Sequence, residues 1–410
     1  MIKKNRPKAD QPRAGKRILV LACYLPYPLF SGARIRSYYH AKILRKIYDL
    51  DLLCISDQVI DKNHVKELKK VFRKIFIFSF PSFHFKLNAL KGLISRKPIQ
   101  VHYFYFRKVQ DWLDRNYQKY DLIYCNYIRT AEYAKNLHIA KVIDFHDALS
   151  KHYQDALKLK EVKGFWQIMY FLEKDRIVRY EAKILKNFDL AFINTQSDKE
   201  HILRNAKIKD KEIVVLPMAV KEELINRKLR NQEKNQLSFI GKLNYLPNED
   251  AVLYFAKDVF PLVRKKIKNI EFYIIGANPT ERILKLKKYP GIKITGFVED
   301  PYSILEKSKL VVAPIRLGAG IQNKVLEGMV LGKTVIATPK SAAGIPEAKN
   351  NQQLIIVDPK KPQQMAKKIL ELLNNKKERQ RIGKNARELI LDHYTWAKSG
   401  NIWLENLDKF

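Results

Sequence analysis

Three cysteines, Cys23, Cys54 and Cys125, are all the thiols this chain of 410 residues contains. They fall within or at the ends of apolar, strand-like runs and show no C-x-x-C spacing. That spacing gives no metal site, and the odd number fits a reducing compartment, with buried thiols favoured over catalytic ones. Long apolar runs are missing too: nothing approaches the ~18–20 residues that span a bilayer. RILVLAC, from Arg17, is short enough to be a first strand. The preceding MIKKNRPKADQPRAGK is basic and has no signal-peptide pattern, so a cytoplasmic protein is expected. There is no low-complexity tract and no short-period repeat, and an apolar share of 46% argues against disorder.

Carboxylates are in short supply, with 42 Asp and Glu against 78 Lys and Arg for a formal net charge of +36. Such a field attracts polyanions. The lysines are spread along the whole chain, without an arginine-rich block or a nucleic-acid motif, so no specific nucleic-acid partner is expected. Solvated lysine faces and attraction to an anionic membrane surface both stay open. The segment Phe83–Arg107 mixes Phe, Leu, Ile and Tyr with Lys and Arg. It reads either as a peripheral membrane face carrying Lys86, Lys91, Arg96 and Lys97 or as a packed helix followed by an aromatic segment.

Short apolar, β-rich runs alternate with helix-length segments. The first half offers Arg17–Cys23, Leu50–Ser56, Lys74–Ser79, Leu122–Asn126, Lys141–Phe145 and Leu190–Asn194. The second offers Leu237–Gly241, Glu271–Gly276, Ile292–Phe297, Leu310–Pro314, Thr334–Thr338 and Leu354–Val357. Near-continuous apolar strands between helices imply parallel sheets covered on both faces. An α/β chain of two doubly wound, Rossmann-like domains follows: a basic tail over 1–16, a first domain over 17–220, a second over 221–390 and a terminal helix over 391–410. The polar stretch Lys221–Asn235 reads as the linker. The periodic pattern of Trp166, Met169, Leu172, Val178 and Ile184 reads as a helix packed into the core.

Ligands of such sheets bind beyond the C-terminal strand ends. Those ends carry a flexible turn at Ser31 and Gly32, with Arg34 and Arg36 adding charge, followed by Asn126 and the run Asp144-Phe145-His146-Asp147. In the second half they carry Gly241-Lys242, Gly276 and the stretch VVAPIRLGAGIQNKVLEGMVLGKTVIATPKSAAGI from Val311. The last reads as a strand, a loop with Gly318 and Gly320, and a helix from about Gln322. A flexible loop entering a helix presents free N–H groups and a positive dipole end to a phosphate. Lys324 adds a cation in the first turn, and Glu327 is placed to accept bonds from two sugar hydroxyls.

That stretch resembles the donor-binding signature of family 4 retaining glycosyltransferases, in Gly318, Gly320, Asn323, Lys324, Leu326, Glu327, Met329, Gly332 and Val335 to Thr338. The resemblance implies a GT-B fold, two Rossmann-like domains facing a cleft, with the last helix returning to the first domain. It implies a nucleotide-sugar donor, bound by Gly32, Gly241, Gly276, Arg316, Gly318, Gly320, Asn323 and Glu327, and a glycan or lipid-linked acceptor. His146 would bond the donor sugar, while Lys242 and Lys324 would meet the charge of the leaving diphosphate; no metal or other cofactor is implied.

Two departures stand out. Asn248 occupies the place of a second diphosphate cation, a charge Lys324 or Arg316 could replace. Ala319 occupies the place of the first of two paired glutamates. The reading is therefore a hexosyltransferase of surface polysaccharide or glycoconjugate synthesis, cytoplasmic or peripheral at the inner membrane face. The alternatives are a nucleotide-sugar 2-epimerase and a non-catalytic sugar-nucleotide or polyanion-binding protein.

Overall fold

The computed structural model describes residues 15–158, 164–208, 211–229, 232–318, 320–407 and 409–410. Most of the expected basic tail, together with Ala319, lies outside them.

The apolar runs form two parallel sheets. The first contains β1 (Arg17–Ala22), β2 (Asp49–Ser56), β3 (Lys74–Ser79), β4 (Leu122–Asn126), β5 (Ala140–Asp144), β6 (Leu190–Ile193) and β7 (Ile213–Val215), ordered β3-β2-β1-β4-β5-β6-β7. The second contains β8 (Lys234–Ile240), β9 (Glu271–Ile275), β10 (Ile292–Gly296), β11 (Ser308–Ala313), β12 (Thr334–Ala337) and β13 (Ile355–Ile356), ordered β10-β9-β8-β11-β12-β13. Each sheet has an apolar core on both faces, so Leu19 and Leu21 pack on one side of β1 while Ile18, Val20 and Ala22 pack on the other. Double burial is what makes these strands continuously apolar. β7 was not among the expected strands; three residues are too few for a pattern.

Strand order reverses between β1 and β4 in the first sheet and between β8 and β11 in the second. These reversals open crevices at the C-terminal strand ends, the usual ligand position in such folds. The register sets Ala22 beside Asn126 and Asn126 beside Asp144, so the ends of β1, β4 and β5 form one row.

The stretch read as a linker joins the two sheets, and its described residues make contacts of their own. Leu224 is fully buried, and Arg227 bonds both Asp300 and Glu306. The polar composition that suggested a linker is an ion-pair network. Beyond it the chain returns to the first domain: the Trp396–Leu407 helix stacks Trp396 on Tyr39 at 4.6 Å and inserts Trp403 against Tyr124 and Phe192.

Candidate active site

The first domain's wall of the cleft is a closed polar network around Asp144. Arg36, on the Gly32–Leu44 helix, donates to it through Nε at 2.6 Å and Nη2 at 3.0 Å, and the Tyr124 hydroxyl donates at 3.2 Å. Arg36 Nη1 donates to Asn194 Oδ1 at 2.6 Å and to the Leu216 carbonyl at 2.7 Å. Burial works to raise the Asp144 pKa, but the Arg36 guanidinium together with His146 and His40 holds the carboxyl well below the usual range. The sequence suggested that Arg34 and Arg36 offer charge to the cleft. Arg36 instead is 1% exposed, while Arg34 is half-buried and bonds the neutral Gln58 amide. Arg36 lies on the inward face of its helix, where only a paired cation is tolerated. The expected flexible turn is a helix start, with Ser31 as N-cap.

His146 follows β5 with φ +63°, and Tyr127 follows β4 with φ +80°. Left-handed backbone at two neighbouring non-glycine strand exits is costly and concentrates at functional sites. Their rings meet edge to face at 5.4 Å. His146 Nε2 lies 2.8 Å from Asn126 Oδ1; with that oxygen accepting, the ring is protonated at Nε2 and leaves Nδ1 as an acceptor. Burial lowers its pKa to about 4, so the ring is neutral near pH 7. It can receive a hydrogen bond from a hydroxyl but does not serve as a proton donor.

The facing wall belongs to the second domain. At the exits of β8 and β9, Gly241 and Gly276 bring their backbones together: a Cβ on Gly276, whose φ is +155°, would fall 1.8 Å from the Gly241 carbonyl oxygen. Lys242 follows on the surface, and among the described residues no ion pair or hydrogen bond engages its ammonium. Asn248 occupies the position of the expected second cation and has a structural task, donating through Nδ2 to the Lys242 carbonyl at 2.9 Å. Arg316 is a matched charge: its Nε donates to Asp250 at 3.0 Å and its guanidinium lies over Tyr254 at 4.9 Å.

Gly318 and Gly320, with φ of +107° and +73°, lead into the Asn323–Val330 helix, whose N-cap Gln322 gives no side-chain cap to the first-turn amides. Lys324 is buried, donates to Gln322 Oε1 at 3.1 Å and lies 5.6 Å over the Phe239 ring. Burial lowers its pKa to about 8, with Glu327 opposing. Glu327 accepts a bond from the Tyr302 hydroxyl at 3.1 Å; burial raises its pKa against the nearby Lys221. Tyr302 and Lys221 had no sequence signal, since both lie on other elements.

The two walls touch. A Cβ on Gly320 would sit 2.0 Å from Asp147 Oδ1, and one on Gly32 would sit 2.9 Å from Asn323 Nδ2. Lys340 forms an ion pair with Asp155 across the domains. The structure thus gathers Gly32, His146, Gly320 and Asn323 around one crevice. Gly318 adjoins the loop after β8 that begins at Gly241-Lys242, lying 3.8 Å by the same measure from Pro247. Among the described residues no group of three or more His, Cys, Asp or Glu side chains is placed to hold a metal ion.

The second wall is also where comparison with known proteins is most specific. Residues 234–375 match the family model described as glycosyl transferases group 1. An uncharacterized glycosyltransferase of Methanocaldococcus jannaschii is 25% identical over 231 residues, covering 53% of this chain and 57% of that protein. The capsular polysaccharide biosynthesis glycosyltransferase CapM of Staphylococcus aureus is 26% identical over 265 residues, covering 61% and 66%. The chain therefore spans less than two thirds of the length of these curated relatives. Among solved structures, Anabaena Alr3699/HepE in complex with UDP and glucose superposes with a TM-score of 0.67 at 16% identity, covering 97% of this chain and all of that one. Residues 234–375 thus carry the group 1 glycosyltransferase match, within a chain whose fold is the GT-B arrangement of two facing Rossmann-like domains.

Proposed function

We propose that the protein transfers a sugar from a nucleotide-diphosphate donor to a glycan or lipid-linked acceptor, as a hexosyltransferase of surface polysaccharide or glycoconjugate synthesis. One observation carries the reading: at the β8–β11 reversal, the loop after β8 that carries the unpaired Lys242 adjoins, through Pro247 and Gly318, the loop that leads into a helix start without a side-chain cap and with Lys324 in its first turn. This is a receptacle for a diphosphate. The relatives named above as glycosyltransferases, and the UDP and glucose in the HepE complex, support the same reading.

In this proposal the first-turn amides and Lys324 hold the diphosphate, and Lys242 meets the charge that grows on it as the glycosidic bond breaks. Glu327 accepts bonds from the ribose hydroxyls, while Gly318 and Gly320 let the backbone approach the phosphates. His146 Nδ1 accepts a hydrogen bond from a donor-sugar hydroxyl. Transfer proceeds with retention on the front face. The bond from the anomeric carbon to phosphate oxygen breaks, the bond to the acceptor oxygen forms on the same face, and the acceptor's proton passes to the departing phosphate. The proposal assigns no role to a metal or other cofactor.

Incubation with a panel of UDP- and GDP-sugars and candidate acceptors tests it. Release of nucleoside diphosphate with a new glycoside is expected. Epimerised nucleotide sugar, or tight donor binding without turnover under all acceptors, would replace it with the epimerase or the binding protein.

A further inference from the structure

Eight of the fourteen exposed large apolar side chains among the described residues lie on just two segments. Five belong to the Ser82–Leu93 helix and its C-cap: Phe83, Leu87, Leu90, Leu93 and Ile94. The other three, Ile168, Phe171 and Leu172, lie near the start of the Phe165–Asn187 helix. Leu172 had been expected in the core; it is 45% exposed, because that helix buries its Glu173, Ile177, Tyr180 and Ile184 face instead.

The two segments meet where Arg176 of the longer helix donates to the carbonyls of Gly92 at 2.9 Å and Leu93 at 3.0 Å, at the C-terminal end of the first helix. On the first helix Phe85 and Gly92 face inward, while Phe83, Leu87, Leu90 and Ile94 recur at spacings of four, three and four on the opposite side. Lys86 and Lys91 fall on either flank of that apolar stripe, and Arg96 follows it. All three are exposed, and among the described residues none meets a carboxylate. Lys97 is different, being paired to Glu132 at 2.7 Å.

We infer that this face docks on an anionic lipid surface, its apolar stripe seated among acyl chains and its lysines and arginine at the headgroups. Contiguous exposed apolar area marks an interaction surface. The cations along its edges, in a chain of net charge +36, favour an anionic lipid sheet over a neutral one and over a second, equally cationic copy of the chain. The face also leads toward the cleft. Gln100, just beyond Arg96, accepts from Arg129 at 2.9 Å, Arg129 lies 4.8 Å over Tyr127, and Tyr127 meets His146. An acceptor held in the lipid would therefore be presented beside the first domain's wall. The docking itself does not depend on the proposed transfer reaction.

The test is co-sedimentation of the full chain with phosphatidylglycerol vesicles and with phosphatidylcholine vesicles. Binding at least tenfold stronger to phosphatidylglycerol, weakening as salt rises, is expected. The combined substitutions Lys86→Gln, Lys91→Gln and Arg96→Gln should weaken it about a hundredfold. Phe83→Ser, Leu87→Ser and Leu90→Ser together, or Phe171→Ser with Leu172→Ser, should each weaken it at least tenfold. These side chains are exposed, and unchanged circular dichroism and nucleotide affinity would verify that the variants fold. Equal binding to both lipids overturns the inference. So does loss on removing charge but none on removing apolar groups, which would mean a nonspecific field. Wild-type dimers that dissociate in the apolar variants would assign the face to a second copy. Vesicle binding is read without turnover, so failure here leaves the transferase reading standing.

Discussion

The two walls of the cleft are built on opposite electrostatic plans. Around Asp144 the polar groups of the first wall are answered within the protein: Arg36 by the carboxylate and two oxygens, the neutral His146 by Asn126. On the second wall, Lys242 is unpaired and Lys324 has an amide oxygen and a carboxylate field but no ion pair of its own. A completed network holds a shape, whereas an incomplete one awaits a ligand of the missing sign. The first wall therefore acts as template and the second as receptor, although both arise from the same kind of strand exit.

The contrast breaks most sharply at Asp144. Asp144→Ala leaves the Arg36 guanidinium buried without its carboxylate, and chemical denaturation should show a loss of about 3–5 kcal/mol. A change below 1 kcal/mol would mean that the first wall is not a structural template. On the second wall the sign of the effect moves from stability to turnover. Lys242→Ala and Lys324→Ala should each lower turnover about 10²–10³-fold, as loss of one group stabilising developing charge does elsewhere. Melting of the Lys242 variant should stay near that of the parent. Near-normal turnover in both would remove the diphosphate receptor.

Glu327→Gln keeps the shape and removes the charge. Donor affinity by calorimetry should drop roughly tenfold to a hundredfold, the range of a charge-assisted hydrogen bond. Unchanged affinity would take the ribose away from Glu327.

Lys324 also gives a pH dependence. Its pKa of about 8 in the free protein must rise when a diphosphate binds, because the anion favours the charged form. Donor affinity should therefore be flat below pH 8 and fall above it by up to about tenfold per pH unit. Lys324→Met should abolish that slope; its persistence would place the titration elsewhere.

The smallest effect concerns Asp147, where the walls meet. Burial and the neighbouring Asp198 raise its pKa to about 6, so its ionised form is disfavoured on folding. The associated loss of stability is fully present above pH 6 and disappears below the unfolded value near 4. Asp147→Asn, which can still accept from Asn194, should thus be more stable than the parent by ~1 kcal/mol at pH 8. The advantage should fade toward pH 4, and melting curves at the two pH values would show it.

Legibility in the sequence follows the range of the interactions. Strands buried on both faces announce themselves as continuous apolar runs, which is why the α/β class and both sheets could be read, while the three-residue β7 is too short to mark. The second wall was readable because Gly318, Gly320, Asn323, Lys324 and Glu327 occupy one short stretch. The first wall's members were placed at strand exits, but not their pairing, because it joins residues 36, 126, 144 and 194, whose neighbourhood exists only after folding. Arg36 consequently looked like a free cation. Leu172 shows another limit: helical periodicity identifies an apolar face but not what covers it.

The return of the Trp396–Leu407 helix has a consequence for synthesis. Trp403 is fully buried among Tyr124, Phe192 and His40, all of the first domain. A ribosome that has emitted β7 has therefore delivered every strand of the first sheet but not the indole that closes its core. The first domain must wait, with an apolar socket open to water, until the second has been translated. Cleavage between the two domains would yield not two sound halves but one domain missing its plug.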